Sequence, residues 1–77
     1  MSDPITHTYK YLRFHWEPGS VQRKTGIYSC RNKTTEAELG KVKWYGPWHQ
    51  YCYFPIAQAV YSRGCLRDIA DFIEGLS

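Results

Sequence analysis

Cys30, Cys52 and Cys65, with His15 and His49, supply the donor types that bind zinc, and a thiol beside an imidazole is also the pairing used in nucleophilic catalysis. Neither chemistry finds its spacing here. Structural zinc sites draw on closely spaced pairs such as C-x-x-C, and the chain has none. His49 and Cys52 are three residues apart, so on a strand they point to opposite faces. A thiol nucleophile needs a positioned base and a lowered pKa, and no local pattern frames Cys52 or Cys65 that way. Cys52 sits among apolar neighbours and Cys65 opens an apolar stripe, so both read as small buried thiols. No Gly-rich loop is present to cradle a phosphate: Gly46 reads as a turn, while Gly64 and Gly75 flank a helix. The carboxylates of the C-terminal segment fall on its polar side. The reading is of a protein that is not an enzyme and takes no metal or cofactor.

A different chemistry is concentrated in KVKWYGPWHQYCYFP, Lys41–Pro55, which holds two Trp, three Tyr and a Phe beside two Lys and a His. Aromatics interleaved with cations can stack bases and track phosphates. Tyr, Trp and Arg are equally the residues of protein interfaces. Tyrosine and lysine are also what water-facing strands ordinarily carry. Which of these applies depends on the elements that hold the side chains.

Residues 9–16, YKYLRFHW, alternate: Leu12, Phe14 and Trp16 fall on one face, and Tyr11, Arg13 and His15 on the other. Pro18-Gly19 ends this strand, and the loop that follows is basic at its end. Residues 25–31 read as a second strand. Asn32 then opens a turn, since its side chain can bond the backbone two residues on. Residues 38–45 form a third strand, with Val42 and Trp44 opposite Lys41, Lys43 and Tyr45. Gly46-Pro47 connects it to a fourth, 48–54, ended by Pro55. In that fourth strand Trp48, Cys52 and Phe54 are expected inward, because Phe and Cys have no polar tip. His49, Tyr51 and Tyr53 are then outward; the reverse assignment stays open.

From residue 62 the period changes. Cys65, Leu66, Ile69, Phe72, Ile73 and Leu76 recur at three and four, the stripe of an amphipathic helix. Ser62 is its N-cap, Gly75 its stop, and Asp68 lies on the wet side. Residues 1–8 read as a flexible arm and 9–77 as one domain. The expected fold is α+β: an antiparallel meander of about four strands, with room for a short extra strand at 59–61. The C-terminal helix packs on one face.

One helix leaves the other face of the sheet bare. The candidate binding residues on it are Arg13, Lys41, Lys43, Tyr45, His49, Tyr51 and Tyr53, joined by Tyr11 and His15. The expected partner is a protein, with nucleic acid as the alternative.

The totals agree with a small binding domain. A chain of 77 residues buries only about 60% of its unfolded surface, so large aromatics must supply the core. Dimerisation through the helix stripe or an edge strand would add stability. The formal charge is +3, too modest by itself to declare a nucleic-acid binder. An odd cysteine count without a basic-then-apolar leader points to a reduced, cytoplasmic setting. No segment approaches the roughly 18 apolar residues of a membrane span.

Two stretches together carry a resemblance. LGKVKWYGPWHQYCYFP, then SRGCLRDIADFIEGL, resembles a group of small proteins encoded in tailed phages and bacterial prophages. The matching positions are Leu39, Gly40, Val42, Trp44, Tyr45, Trp48, Tyr51, Tyr53 and Pro55, then Cys65, Leu66, Asp68, Ile69, Phe72 and Ile73. The resemblance covers about residues 27–76. It implies a bacterial cytoplasm during infection, and action by binding nucleic acid, a host enzyme or a defence component. His49 stands where the group is expected to carry Arg. The paired motifs also imply packing of Trp44, Trp48 and Phe54 on the helix stripe, and a bond from Asp68 to a backbone amide or indole near the hairpin.

Overall fold

The structure, a computed structural model, describes residues 6–17 and 26–76. Five antiparallel strands, β1 (Thr6–Thr8), β2 (Leu12–Trp16), β3 (Tyr28–Asn32), β4 (Glu38–Tyr45) and β5 (Gln50–Pro55), lie in sequence order. The helix α1 (Arg63–Leu76) packs across one face, against β2 and β5. The α+β fold is as the periodicities predict, with one strand more. That strand is not at 59–61, which has no regular structure; it is Thr6–Thr8, the end of the expected arm, paired with Arg13–His15. Residues 1–5 and the basic loop after Pro18 lie outside the described residues.

Alternation places the core. Leu12 and Phe14 of β2, Cys30 of β3 and Val42 of β4 are fully buried beneath Ile69 and Phe72 of α1. Phe72 is the centre. It stacks on Phe14 at 4.2 Å and 6°, and meets the rings of Tyr28 at 5.1 Å and His7 at 5.3 Å. Each such aromatic pair adds about 0.5–1.5 kcal/mol beyond burial.

The turns follow their local chemistry. Asn32 Oδ1 accepts from the amides of Thr34 at 2.8 Å and Thr35 at 3.0 Å, the side-chain turn its type favours. Glu36 then closes the loop at φ 65°. Ser62 caps α1, accepting from the Cys65 amide at 3.2 Å. Gly75 does not stop the helix, which runs one residue further to Leu76.

Two positions on α1 depart from the expected stripe. Leu66 is 55% exposed, whereas Asp68 is buried. Its carboxylate accepts from the Tyr11 amide at 2.8 Å and so ties the helix to the turn between β1 and β2. The expected bond from Asp68 to a backbone amide exists, at this turn and not at the β4–β5 hairpin. The Tyr11 ring belongs to the same joint: it lies against Gly64, where a Cβ would have no room, and so leaves the open face.

Candidate interaction face

Residues directly opposite each other in an antiparallel pair share a face. The registers Arg13↔Arg31, Ser29↔Lys41 and Lys43↔Cys52 therefore carry one side across the sheet. The uncovered face holds Arg13 and His15 from β2 and Arg31 from β3. To these β4 adds Lys41, Lys43 and Tyr45, and β5 adds Cys52 and Phe54. Of the expected binding residues, Arg13, Lys41, Lys43 and Tyr45 come together here.

Tyr51 and Tyr53 do not. They pair with Trp44 and Val42 and pack on the core side. His49 lies in the hairpin turn, at φ 51°, after a short 3₁₀ turn spanning Gly46–Trp48. Trp48 is thus in the turn and 66% exposed, and Trp44 is 40% exposed on the helix side. Neither packs under the helix as the paired motifs implied.

On β5 a polar tip does not force Tyr53 outward, because its hydroxyl finds a partner inside. The Tyr53 and Tyr61 hydroxyls meet at 2.7 Å, and Tyr61 donates to the Leu39 carbonyl at 2.6 Å. Burial, then the hydrogen bonds with Tyr61 and Cys30, push the Tyr53 hydroxyl far above its ordinary pKa. The missed signal was the register itself. Any two- or four-residue loop after Tyr45 seats an even-numbered residue opposite it, on the same face. Cys52 and Phe54 must then follow Tyr45.

The face divides into two halves. Over β2, β3 and the start of β4 the cations are paired. Arg13 meets Glu36 at 2.6 Å, Arg31 meets Glu38 at 3.7 Å, and Lys41 meets Glu17 at 3.0 Å. The Glu17 hydrogen bond raises the Lys41 pKa above its ordinary value. His15 is held by Thr6, Nδ1 to Oγ1 at 2.8 Å. Exposed pairs of this kind are worth about 0–1 kcal/mol each, but they cancel most of the charge.

The other half, at the β4–β5 hairpin, is aromatic. Tyr45 meets Trp48 edge-on at 5.2 Å and Phe54 at 6.0 Å, and Lys43 Nζ lies 4.6 Å over the Phe54 ring. Tyr45, Trp48, Cys52, Tyr53 and Phe54 line an apolar groove of about 230 Å³.

The thiols are dispersed. Cys30 is in the core, Cys52 on the open face, and Cys65 in the first turn of α1, and all three are free. Burial pushes the Cys30 thiol up to about 11. Among the described residues no three His, Cys, Asp or Glu side chains converge to hold a metal. No helix there is long and apolar enough to cross a membrane.

Comparison with known proteins bears on origin. Over 71 residues the chain is 32% identical to a protein of Acholeplasma phage L2 named "Uncharacterized 9.3 kDa protein"; the match covers 92% of this chain and 86% of that one. The chain belongs to the family of that phage protein. No protein-family model matches it, and no solved structure does. Of the resemblance, the match supports a small phage protein, and does not test the hairpin and helix motifs.

Proposed function

We propose that this chain is a non-enzymatic phage accessory protein that acts in the cytoplasm of the infected bacterium. On this reading it binds a protein partner, a host or defence factor, through the uncovered sheet face. The division of that face supports a protein partner over nucleic acid. Arg13, Arg31 and Lys41 are each matched by a glutamate, so among the described residues the face carries no free cationic track for a phosphate backbone. What it presents is Tyr45, Trp48 and Phe54 with Lys43 above them, the aromatic-and-cation mixture of interface hot spots.

The test compares wild type with a Lys43→Glu, Tyr45→Ala, Trp48→Ala variant, both immobilised and incubated with lysate of infected cells, with and without nuclease. The expected result is a protein retained by wild type, lost from the variant, and indifferent to nuclease. Retention that disappears with nuclease and falls steeply with salt would transfer the face to nucleic acid.

A further inference from the structure

An open sheet has two edges, and its hydrogen-bond alternation fixes which main-chain groups each edge offers. Ile56 N–H donates to the Leu39 carbonyl at 3.0 Å, continuing the β4–β5 register as a hydrogen-bonded pair. Lys41–Phe54, Lys43–Cys52 and Tyr45–Gln50 are then the other bonded pairs, and the N–H and C=O groups of Tyr51 and Tyr53 point away from the sheet. At the other edge, the Tyr9–Leu12 bond leaves Thr6 and Thr8 pointing outward in the same way. That edge is only three residues long.

The β5 edge is six residues long, and the groove walled by Trp48 and Phe54 runs beside it. Sheets usually guard such an edge with a charge or a bulge. Along β5 itself only Pro55, at its end, does so. From residue 39 to residue 67 the chain contains no Asp or Glu. Lys43, bordering the groove, makes no ion pair among the described residues.

We propose that β5 is a docking edge, and that an extended partner segment carrying an aromatic residue and carboxylates on one face adds to it as a sixth strand. The proposal rests on the protein-binding reading above and names the partner's contact chemistry. The segment's main chain pairs with the outward groups of Tyr51 and Tyr53. An apolar side chain enters the groove against Trp48 and Phe54. A carboxylate further along the same face of the segment meets Lys43. A second copy of this chain fits less well, because β5 against β5 brings together two acid-free regions with no carboxylate for either Lys43.

The probe is a fluorescein-labelled nonapeptide, EVEVFVEVE, in which the central Phe and the Glu residues share one face, titrated by anisotropy into the full chain with amide exchange followed by NMR. Saturable binding is expected, with exchange at the Tyr51 and Tyr53 amides slowed at least tenfold. Affinity should fall at least tenfold when the peptide backbone is N-methylated along one edge, when Lys replaces its Glu residues, or when the protein carries Lys43→Glu. The peptide changes leave the protein intact, so misfolding of a variant cannot imitate the result. Failure to saturate, or binding indifferent to N-methylation, overturns strand addition. A lysate partner that covers Tyr45 and Trp48 while Tyr51 and Tyr53 exchange freely also overturns it, yet leaves the face reading standing. Protection of Tyr51 and Tyr53 by the peptide supports strand addition even where the face variant still retains its lysate partner, a result that sinks the face reading.

Discussion

Asp68 shows how one polar residue can locate a helix. The residue is 7% exposed and its carboxylate accepts from the Tyr11 amide, so the first turns of α1 are pinned to the turn entering β2. A hydrogen bond to a charged group contributes about 1.5–3 kcal/mol, and its loss also leaves the part-buried Tyr11 amide without this partner. Urea unfolding of Asp68→Ala should show a loss of about 2–3 kcal/mol, and Asp68→Asn a smaller one, since the amide oxygen still accepts.

Cys30 sets a second expectation at the same scale. Its thiol is raised to about 11 from an ordinary 9.0, chiefly by burial. Below pH 9 both states hold the proton and the contribution to stability is complete. Between about 9 and 11 the unfolded chain releases the proton that the native state keeps, so stability falls as pH rises. Cys30→Ala should flatten that decline, measured as the slope of unfolding free energy against pH.

At the scale of elements, the β3–β4–β5 unit depends on Gly40. A Cβ there would meet the Phe54 carbonyl oxygen at 2.7 Å and the Tyr53 hydroxyl at 2.6 Å. The hydroxyl can give, but the backbone oxygen is held in the ladder. Gly40→Ala should therefore destabilise by about 1–3 kcal/mol, read by chemical denaturation, although alanine ordinarily suits a strand better than glycine. These elements also show what a sequence can carry. The span of β4, the Asn32 turn and the Ser62 cap were legible because each rests on local chemistry. The face of β5 was misjudged because residue-by-residue polarity was weighed above register, which loop length alone constrains. Thr6–Thr8 has no period to detect, being a three-residue edge strand, and the pattern puts Asp68 on the wet side because an acid at a buried helical position shows as buried only once its amide partner is placed. Hence Arg13, Lys41, Lys43 and Tyr45 were found as a group, and Cys52 and Phe54 were not.

Taken together, the described residues form a single layer of strands shielded on one side by α1. Phe72 on the covered side and Trp48 on the open side should respond oppositely to truncation. Phe72→Ala should remove about 3–5 kcal/mol, a large share of what a chain of this size holds, whereas Trp48→Ala should change stability by no more than about 0.5 kcal/mol. Thermal and urea unfolding of the two variants measures this contrast. An aromatic that contributes little to folding yet remains in the open is available for contact with another molecule, and under the proposed function the ion pairs over the rest of the face would confine that contact to the hairpin half.

Photocross-linking in infected cells tests that contact most directly, with benzoyl-phenylalanine placed at Trp48 on the open side in one experiment and at Leu66 on the outer side of the helix in another. Binding through the hairpin half should give a discrete protein adduct from position 48 that survives nuclease treatment and is absent from position 66. Adducts at 66 alone, or nuclease-sensitive adducts at 48, would contradict it.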